Sequence, residues 1–475
     1  MPMYCVCCYL CKNDRYKIMK NEKFIIYQML PRIFGNAKAN GGTGKFKDIT
    51  PEVLEELKEL NITHIWYTGI IKHSTAGERG VKGTAGSPYA INDYYDVNHY
   101  LASRKSSRMK EFEALVERTA QAGMGTIIDF VPNHVACDYV GTQAPFTDEN
   151  YYPGKTFDGD WSDTAKLNYT SHDTWVKMRD ILLFWASKGI AGFRCDMIEL
   201  VTVDFWKWAI PQIKEQYPGI IFIGEAYQPE NYWNYFNIGG FDYLYDKSGF
   251  YDTLRRIVRG EDSASSITRQ WQQLGDFQPK MLNFLENHDE DRIPSEYFAS
   301  SPFKALSALF VSLFYNTAPF MIYAGQEFGV GPEKTSIFDF CSLEPLRRWN
   351  KGVKESDSQK YLHYEESDLY AIYKVFCDIA VNDPVICKGD TFDLQYANFE
   401  NGNYNHHRQF SFLRHYEGTV YLCVANFEDR RVDVEINIPQ HAFDYYGIQP
   451  DETMNPNERI KVSIEKNAGT ILRIK

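Results

Sequence analysis

At 475 residues the chain is too long for one small domain and suits a large barrel with an accessory domain. Hydrophobic residues make up 44% and charged residues 24%, ordinary values for a globular protein. With 51 basic against 63 acidic residues the net charge is -12, which argues against the basic face that nucleic acid or an anionic membrane surface requires.

The first ten residues are partly apolar but lack a basic start, and they run into Lys12, Asp14 and Arg15, a poor secretory signal. No apolar run is long enough to span a bilayer. Met19-Lys20-Asn21 reads as a second possible start, so residues 1–20 are expected to be a disordered or atypical extension. Four of the ten cysteines crowd it. Cys8 and Cys11 have the CxxC spacing of a zinc site, but four ligands so close together would strain a tetrahedral cage. Cys137, Cys195, Cys341, Cys377, Cys387 and Cys423 are scattered, and reduced thiols in the cytoplasm are the expectation.

From residue 21 to 384, short β-rich runs alternate with helical stretches. Strands are predicted at Phe24–Leu30, Thr63–Ile70, Gly125–Val131, Gly192–Met197, Ile220–Tyr227, Phe241–Tyr245, Met281–Glu286 and Phe320–Tyr323. Helices are predicted at Pro51–Leu60, Arg108–Ala122 and Thr174–Ser187, among others. Eight such repeats indicate a (β/α)8 barrel. Residues 134–172, rich in Tyr, Gly, Asp and Pro, break the rhythm and read as a small excursion over the barrel mouth. Residues 385–475 alternate in the manner of an antiparallel β-sandwich, with a turn at Asn455-Pro456-Asn457.

In such a barrel, reactive side chains sit where strands enter their following loops. Four strand ends are unusually polar: Asp129 to His134, Arg194 to Asp196, Glu225, and Glu286 to Asp289. Buried ionisable groups are costly unless paired, so their convergence on one rim points to use. Cleavage of a glycosidic bond needs a carboxylic acid beside the leaving oxygen and a carboxylate beneath the sugar, about 5 to 5.5 Å apart in a retaining enzyme. Arg194, two residues before Asp196, points to the same side and should hold that carboxylate ionised. Glu225 ends an apolar strand, where desolvation favours the acid form. For each residue alone, the alternative is a structural ion pair or cap.

These motifs resemble the α-amylase family of glycoside hydrolases, and the resemblance covers roughly residues 24 to 475. DFVPNH, GFRCD, GEA and ENHD stand in the family's order. The resemblance implies that Asp196 is the nucleophile, Glu225 the general acid/base and Asp289 the transition-state carboxylate. It further implies that His134, Arg194 and His288 hold the sugar and that Tyr89, in SPYAINDYYDVN, stacks on it. Arg292 matches an arginine that contacts substrate or a carboxylate, a rim salt bridge being the alternative reading.

Two departures stand out. Glu199 and Leu200 occupy positions where the family often has Lys-His facing the acceptor, which bears on endo-action toward starch. Lys166 stands where an acid would join Asn133 around a structural calcium, and an ammonium is unfavourable there. No cofactor is therefore expected, with no calcium at that place or the lysine standing in for it. The implied activity is hydrolysis of α-glucosidic, chiefly α-1,4, bonds in maltooligosaccharides or starch-like glucans through a covalent glycosyl-enzyme. A transglycosylase or isomerase with the same intermediate, and a non-catalytic sugar-binding scaffold, are the alternatives. The scaffold reading usually goes with a lost carboxylate, and this chain keeps all three.

Overall fold

The computed structural model describes residues 23–475 apart from 40, 76–81, 156–158, 160, 400 and 450–458. Eight parallel strands close a barrel: β1 (Ile25–Met29), β2 (His64–Tyr67), β3 (Gly125–Phe130), β4 (Gly192–Cys195), β5 (Ile221–Gly224), β6 (Tyr243–Tyr245), β7 (Met281–Phe284) and β8 (Phe320–Tyr323). Their order around the barrel is β1-β8-β7-β6-β5-β4-β3-β2. IIYQM, HIWY and FMIY are buried at every position. That follows from helices outside and packed side chains inside, which leave no solvated face.

The helices form for local reasons. In Pro51–Glu59, Pro opens the first turn, the Thr50 hydroxyl accepts the Val53 N–H, and Val53, Leu54 and Leu57 are buried. In Arg108–Gln121, Phe112, Leu115 and Val116 form the buried stripe. His172–Ala186 buries Met178, Ile181, Leu182 and Trp185.

Strand register brings the polar ends together. Asp129 on β3 pairs with Arg194 on β4, and Cys195 pairs with Gly224 on β5. The ladder continues past the strands, with Asp196 N–H to Phe130 O at 2.8 Å and Glu225 N–H to Cys195 O at 3.0 Å. Asp196 and Glu225 therefore leave the barrel at one level, side by side.

Two excursions rise from the rim. The one after β3 starts at once, as His134–Ala136 pairs antiparallel with Thr164–Lys166. The other follows β2, where Ile71–His73 pairs with Ile91–Val97 and Tyr89 stands just before the return strand. The sequence reading treats this second segment only as a motif, not as a hairpin, because three-residue strands carry too little periodicity.

The C-terminal strands are β9 (Asp390–Asp393), β10 (Gln409–Tyr416), β11 (Thr419–Asn426), β12 (Val432–Ile436), β13 (Ile460–Ile464) and β14 (Gly469–Arg473). They form antiparallel sheets β9-β10-β11-β14 and β12-β13. Leu413, Leu422 and Val424 of the first sheet share an apolar core with Val434, Ile436, Val462 and Ile464 of the second, the packing of a sandwich. The cysteine-rich start and the Asn455-Pro456-Asn457 turn lie outside the described residues. Among the described residues no helix is long and apolar enough to cross a membrane.

Candidate active site

Arg194 is the hub of the site. It is 1% exposed. Its Nη1 donates to Asp196 Oδ1 at 2.7 Å and lies 3.4 Å from Asp129 Oδ1, and its Nη2 lies 2.6 Å from Glu225 Oε2. Its Nε donates to the Tyr245 hydroxyl at 3.3 Å. The rings of Trp66, Tyr89 and Tyr245 lie within 5.6 Å of the guanidinium and wall it from solvent.

Three carboxylates thus share one cation. Burial, with Glu225 and Asp129 adding to it, pushes Asp196 well above the ordinary carboxylate range against the pull of Arg194. Burial likewise raises Asp129, again opposed by Arg194. The expectation that Arg194 keeps Asp196 ionised is corrected accordingly: its charge is divided among three acids and does not offset the burial of Asp196. One arginine carries too little positive charge to balance three buried acids.

Asp289 behaves differently. Its side chain is 41% exposed, and His288 Nε2 lies 2.9 Å from Oδ2. Burial opposes its ionisation, yet His288, Arg194 and Lys334 hold the carboxyl down to about 2. The Tyr89 hydroxyl meets the same His288 Nε2 at 2.5 Å and donates to Asp129 Oδ1 at 3.3 Å, with the Tyr89 and His288 rings stacked at 5.3 Å. Behind them Gln28 reaches from β1, its Nε2 2.7 Å from His288 Nδ1. Asp196, Glu225, Asp289, Arg194, His288 and Tyr89 are therefore joined in one network. His134 opens the excursion after β3, buried, its ring 5.3 Å from that of Trp161.

Arg292 does not join them. It is buried, with Nη1 on Glu286 Oε2 at 2.7 Å, Nε and Nη2 on the Thr335 hydroxyl, and Nη2 also on Ala324 O at 3.1 Å. Glu286 accepts the Ile293 N–H as well, at 2.6 Å. Of the contacts expected of Arg292, substrate or a carboxylate, the structure shows the carboxylate in a buried pair rather than at the rim, because the chain after Asp289 folds back toward β8. The Asn287 side chain starts that turn by accepting the N–H groups of Asp289 and Glu290, each at 2.8 Å.

Glu199 ties two loops, its Oε1 accepting the Gln228 N–H at 2.7 Å. Leu167 N–H donates to Asn133 O at 2.8 Å, which brings Lys166 alongside, and the Lys166 ammonium lies 5.3 Å over the Tyr152 ring. Among the described residues, no group of three or more His, Cys, Asp or Glu could hold a metal ion.

Sequence reasoning missed Gln28, Trp66 and Tyr227. Each left a signal: Gln28 is the lone amide in an apolar strand, Trp66 stands next to the end of one, and Tyr227 stands two residues past Glu225. The Tyr227 hydroxyl donates to Glu225 Oε1 at 2.5 Å.

A closed parallel barrel thus gathers acids from β3, β4 and β5 on one arginine, with Asp289 from beyond β7 beside them. The catalytic-domain model of the alpha-amylase family matches residues 28–161 and 147–370, and the chain belongs to that family. The fold matches the crystal structure of an α-amylase from Lactobacillus plantarum, with a TM-score of 0.72 and 22% identity over 97% of this chain and 99% of that one. The α-amylase MalA of Haloarcula japonica is 26% identical over 323 residues, 65% of this chain and 44% of its own length. An α-1,4-glucan:maltose-1-phosphate maltosyltransferase of Picrophilus torridus is 27% identical over 229 residues, 43% of this chain and 33% of its own length. The chain thus aligns with less than half the length of these two relatives.

Proposed function

We propose that the protein is a retaining hydrolase of α-glucosidic bonds, chiefly α-1,4, in maltooligosaccharides or starch-like glucans. In this reading Glu225 protonates the departing oxygen while Asp196 attacks the anomeric carbon and forms a glycosyl-enzyme. Water deprotonated by Glu225 then releases the sugar. Asp289, ionised beside His288, stabilises the oxocarbenium-like transition states. His288, Tyr89, Arg194 and His134 position the sugar at the cleavage point.

One observation carries the reading: the two terminal nitrogens of Arg194 hold Asp196 and Glu225 at 2.7 and 2.6 Å. Adjacent nitrogens of one guanidinium favour the short spacing of double displacement, about 5 to 5.5 Å, over the ~6.5–9.5 Å that an inverting water needs.

The test is proton NMR of freshly mixed enzyme and maltotriose. The α-anomer as first product supports retention, and a β-anomer refutes it. Glucose and maltose indicate hydrolysis. Transfer is the second reading, favoured by the similarity to a maltosyltransferase, and products longer than maltotriose would establish it.

A further inference from the structure

Glu225 is held unequally at its two oxygens. Oε2 accepts the Met197 N–H at 2.9 Å and lies 2.6 Å from Arg194 Nη2. Both partners are donors only, so Oε2 has no use for a proton. The Met197 N–H is aimed there by a left-handed backbone, φ 40 and ψ 54, unusual for a residue other than glycine. Oε1 meets the Tyr227 hydroxyl, which can donate or accept. The movable proton of Glu225 therefore belongs on Oε1, beside Tyr227.

Tyr227 is itself held from two sides. The Ser248 hydroxyl donates to Tyr227 O at 2.7 Å, and Glu199 takes the next N–H, that of Gln228. Glu199 thus ties the loop after β5 to the turn after β4. Burial first, then the charge of Glu225, push the Tyr227 phenol well above its ordinary range, so it enters as O–H.

We propose that Tyr227 is a positioning residue that steadies Glu225 as a base, and so governs release of the glycosyl-enzyme, while Glu199 fixes the loop that carries it. This deepens the reading of Glu225 given above and rests on it. In the first half, Oε1–H passes its proton to the departing oxygen as the glycosidic bond breaks and the Asp196–carbon bond forms. The Tyr227 O–H then donates to the Oε1 carboxylate. In the second half, the remaining lone pair of Oε1 takes a proton from water as the water oxygen bonds the anomeric carbon and Asp196 departs. A donor to the carboxylate favours the base form, so its loss slows the second half more than the first.

The test uses the full chain and α-maltosyl fluoride, whose leaving group needs no proton. Tyr227→Phe should give a burst of fluoride, then a steady state about ten- to a hundredfold slower than wild type, the effect of one hydrogen bond to a charged group. Mass spectrometry should find the glycosyl-enzyme accumulating, and azide, a nucleophile that needs no base, should restore turnover. Glu199→Ala should change release in the same direction by less. Equal slowing of fluoride release and maltotriose cleavage in Tyr227→Phe, with no burst and no azide rescue, overturns the inference. A Glu199→Ala variant altered only in acceptor KM overturns the part given to Glu199. A wild type inert toward both substrates would instead overturn the proposed function.

Discussion

Arg194 and Arg292 are both 1% exposed, both lie near the C-terminal rim of the barrel, and both bond carboxylates, yet they differ in kind. Arg292 has one carboxylate, Glu286, and its remaining donors end on Thr335 and Ala324. That pair is closed, and its worth lies in holding the loop after β7 against β8. Arg194 is divided among Asp129, Asp196 and Glu225. That cluster is short of positive charge, and burial raises Asp196 and Asp129 within it. A saturated buried pair fixes shape, whereas an oversubscribed arginine sets up acid–base chemistry.

The largest expected effect comes from thinning the oversubscribed side. Asp196→Asn or Glu225→Gln should lower kcat by roughly 10³- to 10⁶-fold with little change in melting temperature, since only the transition state loses its partner. Near-normal turnover in either purified variant breaks the comparison.

Next comes Arg292→Met, which strands the buried Glu286 and should cost about 3–5 kcal/mol of stability. Calorimetry should show the lowered melting temperature, while kcat of the folded fraction stays within about tenfold of wild type, far less than the catalytic substitutions cost. A loss of kcat as deep as that of Asp196→Asn would place Arg292 in the chemistry after all.

A third carboxyl sharpens the rule. Glu327 is bonded by the Tyr27 hydroxyl at 2.6 Å and the Gly325 N–H at 3.0 Å rather than by a cation, and burial pushes it from 4.5 up to about 7. The native state then binds this proton more tightly than the unfolded chain does. Its contribution to stability is full below about pH 4.5, fades as pH rises toward 7, and is flat beyond. Glu327→Gln should flatten that decline in a pH series of thermal melts, though Asp246, raised by burial to about 7, leaves part of it. An unchanged slope would show that Glu327 is ionised in the fold.

The smallest expected effect is none. EDTA should leave activity and melting temperature unchanged, because Lys166 offers no oxygen ligand where an acid would join Asn133 around calcium. A loss restored by calcium would overturn that view.

The barrel was legible because its strands are apolar runs bounded by polar ends, a contrast that any window of sequence carries. Asp196 and Glu225 were legible because each stands one residue past such a run, where register alone brings it to the rim. Arg292 was not, since its spacing from Asp289 says nothing about which way the intervening turn folds, and the Asn287 side chain decides that. Gln28 and Tyr227 are neutral, so no cost of buried charge drew attention to them, and their parts show only once His288 and Glu225 stand beside them. The hairpin carrying Tyr89 is held by strands of three and seven residues, below what alternation can reveal on the shorter side.

The clasp at the root of the excursion after β3 has a consequence for how such enzymes diversify. His134 pairs with Lys166, and Leu167 N–H closes on Asn133 O, directly where β3 ends. Residues 137–163 therefore leave and return through a fixed gate. Lengthening them costs only about 0.6 kcal/mol per doubling, and the strain of a new insert stops at the gate. The segment can change length there with the acids below left in register.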